Sequence, residues 1–138
     1  MNASEKKILI VDDDADLREA LRFFLEQHGY RVILAQDGRE GLRLARLEPP
    51  DLIIMDIMMN ERTEGLFTIQ ELRHTPELKH LPVFVLSALY DKTPDFRIPP
   101  EAGWMAHDEF FPKPADLTQL LQRIRQRIGP EAPREAPA

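Results

Sequence analysis

The sequence predicts an α/β domain, a doubly wound five-stranded parallel sheet with helices on both faces. Three observations predict it. Short apolar runs, mostly Ile, Val and Leu and without polar alternation, recur at residues 8–11, 52–55 and 83–86, as expected of strands buried on both faces. Stretches of helical period alternate with them. Each run also stops at a polar residue, Asp12, Asp56 or Ser87, and in such sheets ligands bind beyond the carboxyl ends of the strands.

The elements follow in order. Residues 8–11 form the first strand, and from Asp14 the period becomes helical. Leu17, Leu21, Phe24 and Leu25 share a face, with Asp14 as N-cap and Gly29 as C-terminal stop. Residues 30–35 read as strand, Asp37-Gly38 as a turn, and residues 41–47 as a helix with Leu42 and Ala45 inward, ended by Pro49-Pro50. After the strand at 52–55 comes a helix at 66–73, with Leu66, Ile69 and Leu72 at core spacing. A strand at 83–86, a short fifth strand at 109–111 and a helix at 117–128 complete the series. Leu117, Leu120, Leu121, Ile124 and Ile128 form one stripe on that last helix, and Gly129-Pro130 stops it. Parallel neighbours imply right-handed crossovers.

One stretch breaks the rhythm. A fourth helix is due between Ser87 and Lys113, yet Pro94, Pro99 and Pro100 fall there. A proline inside a helix costs about 3 kcal/mol, so the fourth helix is expected to be short or irregular. Residues 91–101 should be mostly irregular, with at most a helical turn near 101–106.

Length and composition bound the rest. The 138 residues suit one domain, expected at 1–128, followed by a frayed Pro- and Ala-rich tail at 129–138. A formal charge of -6 argues against nucleic acid and anionic membranes as partners. The absence of cysteine excludes disulfides and thiolate chemistry. The apolar run after Lys6 and Lys7 is too short for a signal-peptide core, and the run at 52–59 is interrupted by Asp56. A soluble cytoplasmic protein is expected.

Asp12 and Asp13 end the first strand and Asp56 the third, and those strands are neighbours in a doubly wound sheet. Asp12 or Asp13 alone reads equally well as a solvated cap. Three converging carboxylates, however, repel one another unless a cation lies among them, and an open set of oxygen ligands favours Mg²⁺. Lys113 adds a compact positive charge after the fifth strand, and Ser87 a hydroxyl at the end of the fourth. A carboxylate nucleophile, a hard cation, an ammonium and a hydroxyl suffice chemically to receive a phosphoryl group.

The segments ILIVDDDADLRE, DLIIMDIMM, PVFVLSA and FFPKP resemble the four signatures of two-component response-regulator receiver domains of the single-domain, CheY-like kind, over about residues 5–128. That resemblance implies the flavodoxin-like strand order 2-1-3-4-5. It implies Asp56 as phosphoacceptor, and Asp12, Asp13, Asp56 and the backbone carbonyl of Met58 as ligands of Mg²⁺. Ser87 stands at the family's switch hydroxyl, Lys113 at its lysine, and Phe110 at its aromatic switch position. Phe110 reads equally well as a core aromatic beside Phe111. Lys113-Pro114 matches a pair whose peptide bond is commonly cis, an isomer that proline makes accessible. Asp14 and Asp16 lie beyond the aligned acids and read as helix caps. The implied partners are a sensor histidine kinase or phosphotransfer protein and a downstream protein target, with the chain a monomer or weak homodimer. It would be no enzyme beyond its own phosphorylation and dephosphorylation, within a two-component or phosphorelay system. Nothing after the last helix suggests an output domain, so output through protein contacts is expected.

The chain departs from the family pattern in three places. Asn60 replaces the usual proline after the acceptor and Gly65 comes one residue late, which reads as a one-residue insertion. The segment LYDKTPDFRIPPEAGWMAHDEF is longer than the family's and poor in helix signals, with Trp104 and Met105 available to pack in the helix's place. Met58 and Leu89, two residues past Asp56 and Ser87, are bulky where the hydrolytic water passes, so slow self-dephosphorylation is expected. Three other readings compete. Asp12-Asp13-Asp14-Ala15-Asp16 half matches the Asp-x-Asp-x-Thr/Val motif of haloacid-dehalogenase-type phosphatases, but Asp16 stands where Thr or Val belongs. A receiver that is never phosphorylated would not need the full acid, hydroxyl and lysine set. A flavin mononucleotide binder would meet acids where it needs a phosphate-binding loop.

Overall fold

The computed structural model describes residues 6–56, 64–87, 109–112 and 116–129. The strands are β1 (Lys7–Val11), β2 (Arg31–Ala35), β3 (Leu52–Met55), β4 (Val83–Ser87) and β5 (Glu109–Pro112). The helices are α1 (Ala15–Gln27), α2 (Gly38–Leu47), α3 (Glu64–Arg73) and α4 (Leu117–Ile128). The strands form one parallel sheet in the order β2-β1-β3-β4-β5, as the sequence leads one to expect.

The unbroken apolar runs have a direct physical cause. Side chains alternate across a strand, and both faces of this sheet are covered. Leu9, Val11, Ile53, Met55, Val83 and Val85 point to one side, where Ala45 of α2 and Ile69 and Leu72 of α3 close the core. Ile8, Ile10, Leu52, Ile54, Phe84 and Leu86 point to the other, against Leu21 and Leu25 of α1 and Leu120, Leu121 and Ile124 of α4. The Tyr30 hydroxyl donates to the Gly129 carbonyl at 3.2 Å, tying the end of α4 to the start of β2.

The helix ends follow capping chemistry. Asp14, Asp37 and Asp116 each accept backbone N–H bonds from the first turn of α1, α2 and α4. Gly29 and Gly129, both at φ 89°, turn the chain left-handed after α1 and α4, a conformation open to glycine at no steric cost.

Strand ends shift by at most one residue from expectation, and two helices start earlier than expected. Asp37-Gly38 is not a turn: Asp37 caps α2, which therefore starts at Gly38 rather than 41. The Asp37 carboxylate accepts from Glu40 N at 2.8 Å, and the Glu40 carboxylate accepts from Gln36 N at 2.9 Å, so the acids on both sides stabilise the glycine-containing first turn. α3 likewise begins at Glu64, two residues before 66. Among the described residues no helix is long and apolar enough to cross a membrane. The expected short or irregular fourth helix, the inserted loop after Asp56 and the tail lie outside the described residues.

Candidate functional site

β1 and β3 are hydrogen-bonded neighbours with Val11 opposite Met55, so the next residues, Asp12 and Asp56, leave the sheet at the same level. The ladder runs one residue further on both strands. Asp12 N donates to Ala35 O at 3.1 Å, and Asp56 N donates to Val11 O at 2.9 Å. Both acids are thus held by the backbone of the adjacent strand, and both are buried, with 2% and 3% of their surface exposed. Asp13 is exposed. One carboxylate oxygen from each of the three lies within 4.8 Å of the others.

Neighbouring groups orient this cluster. Asp12 Oδ1 accepts from Asp14 N at 2.9 Å, which turns the chain from strand into helix. Asp14 Oδ1 accepts from Asp16 N at 3.0 Å and Leu17 N at 3.2 Å, so Asp14 caps α1, as expected, and is committed there. The Arg18 guanidinium donates to Asp12 O at 2.7 Å and brings a positive charge back from α1 to the strand end. Sequence reasoning missed Arg18, whose spacing from Asp12 was the available signal, since a residue one turn into a helix can reach back over its N-terminus.

Burying two carboxylates beside a third is costly unless a cation or strong donors compensate. The donor set is all oxygen, and the exposed Asp13 keeps one side open to water. That combination fits a hard ion such as Mg²⁺, which keeps several of its waters when bound by a few carboxylates.

The other predicted site residues fall at the same edge of the sheet or outside the described residues. β4 pairs with β3 and ends at Ser87, and Ser87 stands opposite Pro112 at the end of β5. Phe110 lies in β5, its backbone opposite Val85. Lys113 follows Pro112 directly in the chain. Lys113, its bond to Pro114, Met58 and Leu89 lie outside the described residues.

The response regulator receiver domain, as a family model, matches residues 8–125. The chain belongs to that family. Membership sets aside the phosphatase and flavin-binding readings. The receiver is similar to Response regulator MprA of Mycolicibacterium vanbaalenii, 41% identical over 127 residues that make up 92% of this chain and 52% of that protein. It spans about half the length of the curated relatives it matches. Among solved structures it is similar to chemotaxis protein CheY4 of Vibrio cholerae, with a TM-score of 0.76 and 25% identity over 90% of this chain and 99% of that one. It is also similar to response regulator TrrA of Thermotoga maritima, solved in complex with Mg(2+)-BeF, with a TM-score of 0.71 and 30% identity over 88% and 97% of the two chains.

Proposed function

We propose that this receiver takes a phosphoryl group onto Asp56 from a phosphohistidine of a sensor kinase or phosphotransfer protein. One observation carries the proposal: two buried carboxylates and one exposed carboxylate converge at the ends of β1 and β3. Asp56 is one of the two buried members of that cluster, its backbone fixed to Val11. The Mg(2+)-BeF complex of TrrA supports the reading, because beryllium fluoride imitates a phosphoryl group in shape and charge.

Asp12, Asp13, Asp56 and the Met58 carbonyl would hold Mg²⁺. Bound there, the ion supplies positive charge that lets a phosphoryl group approach three carboxylates. An Asp56 oxygen attacks phosphorus as the P–N bond to the partner's histidine breaks, and the bonding electron pair stays on the imidazole nitrogen. The products are an aspartyl phosphate and a free histidine. Lys113 contributes an ammonium to the phosphoryl oxygens, and the Ser87 hydroxyl donates to one of them. Ser87 moving toward the phosphoryl group, with Phe110 following, changes the surface offered to a downstream protein. The receiver unit is taken as residues 1–128, working in the cytoplasm.

Acetyl phosphate with Mg²⁺ tests the reading without a partner. Intact mass should show the gain of one phosphoryl group, absent when EDTA is present from the start of the reaction and absent in Asp56→Asn. An adduct that survives Asp56→Asn but disappears in Asp12→Asn would overturn the assignment.

A further inference from the structure

A groove lies away from the carboxylates, between α2 and α3, with a volume of about 660 Å³. It has an unusual lining for a surface that contacts only water. Two of the three large apolar side chains that stand exposed among the described residues, Leu47 at 69% and Phe67 at 67%, line it. Leu42, partly buried against the core, lines it as well. Arg39, Arg43 and Arg46 line the same groove at helical spacings of four and three residues, so one face of α2 presents a row of guanidinium groups.

These cations are scarcely engaged. Arg43 has Glu40 at 4.0 Å, at the outer limit of an ion pair, and neither Arg39 nor Arg46 forms an ion pair among the described residues. Glu71 is the one carboxylate of the lining. The row is therefore a basic stripe on a chain whose net charge is -6. An apolar centre flanked by unspent positive charge is complementary to one kind of ligand.

We infer that the α2–α3 groove is a docking surface for an acidic amphipathic helix of a partner protein. Its apolar side chains would pack on Leu42, Leu47 and Phe67, and its Asp or Glu side chains would meet Arg39, Arg43 and Arg46. Apolar anchors on one helix face, repeating every three or four residues, are how such grooves are filled, and Phe and Arg are both enriched at protein interfaces. A second copy of this chain fits poorly, since a two-fold contact would set the arginine row against itself. Nucleic acid fits poorly as well, because a few arginines around exposed Phe and Leu do not track a phosphate backbone against a net negative charge. The surface belongs to the sheet face covered by α2 and α3, opposite α1 and α4.

Photo-crosslinking in the native cell tests this. The full chain carries p-benzoylphenylalanine in place of Phe67, and the crosslinked peptides are sequenced by mass spectrometry. The expected adduct is a segment of another protein, rich in Asp and Glu, with apolar residues at helical spacing. Its yield should fall about tenfold or more in Arg39→Glu/Arg46→Glu, as expected when attraction becomes like-charge repulsion. Arg39→Gln/Arg46→Gln, which only removes charge, serves if circular dichroism shows the reversed pair unfolded. Adducts only to a second copy, to nucleic acid or to a segment poor in acids would overturn the inference. So would adducts that persist after the arginines are replaced, or no adducts at all.

Discussion

Asp12 and Asp56 are buried while Asp13 is exposed, although all three reach one point. Mutual repulsion should therefore cost stability that a bound cation restores. Asp13→Asn relieves part of the repulsion without emptying the buried pair. Urea unfolding without Mg²⁺ should show it more stable than the parent by about 1 kcal/mol. With Mg²⁺ at a hundred times its dissociation constant, the parent should gain about 2.7 kcal/mol and Asp13→Asn much less, reversing the order. If Asp13→Asn is the less stable form without Mg²⁺, repulsion does not govern the cluster. Gly41 makes a second prediction at this scale. A Cβ there would come within 2.8 Å of Val11 Cγ2, directly before Asp12. Valine is stiff at χ1 and cannot easily yield, so Gly41→Ala should lose about 1 kcal/mol despite alanine's better helix propensity. Val11→Ala combined with Gly41→Ala should lose less than the two single changes summed, read from denaturant midpoints. Simple additivity would contradict the close approach.

At the scale of elements, the helix boundaries show what a sequence states openly and what it conceals. α4 was legible to the residue, because a five-member apolar stripe and Gly129-Pro130 mark it, and the structure adds Asp116 as its cap. The start of α2 was not. Gly38 looks like a turn residue and Gly41 like a helix start, yet each is small because a neighbour is close: a Cβ on Gly38 would lie 2.0 Å from Thr68 Oγ1 of α3. Tertiary packing, rather than backbone propensity, set those glycines. If Asp37 is the true cap, Asp37→Ala should cost about 1 kcal/mol, measured by urea unfolding. A loss below a few tenths would place the helix start elsewhere. Glu109 and Arg123 form an ion pair that joins β5 to α4, and the carboxylate raises the guanidinium's pKa, first through their hydrogen bond and then through its charge. That pair lies at the amino end of β5, away from Ser87 and Pro112, so it bears on how the last strand is held.

For the whole molecule, the site was legible because of where it sits. Each acid or hydroxyl interrupts an apolar run, and the doubly wound sheet gathers those interruptions along one edge. Arg18 was less legible: an arginine on an amphipathic helix reads as solvated until its guanidinium is seen on the Asp12 carbonyl. The α2–α3 groove was hidden for a related reason, since an apolar residue at helical spacing reads as core, whereas Phe67 is exposed. Met58 and Leu89 are expected, from the sequence, to slow self-dephosphorylation. If their bulk restrains the hydrolytic water, Met58→Asn should shorten the phosphoryl lifetime by about tenfold, a barrier change of about 1.4 kcal/mol. An unchanged decay rate would remove that role. The central claim, that Asp56 is the residue phosphorylated, is tested most directly by finding the modified position. After reaction with acetyl phosphate and Mg²⁺, borohydride reduces an aspartyl phosphate to homoserine, and tandem mass spectrometry reads its place. The expected result is homoserine at position 56 alone; homoserine at Asp12 or Asp13, or none at 56, would contradict it.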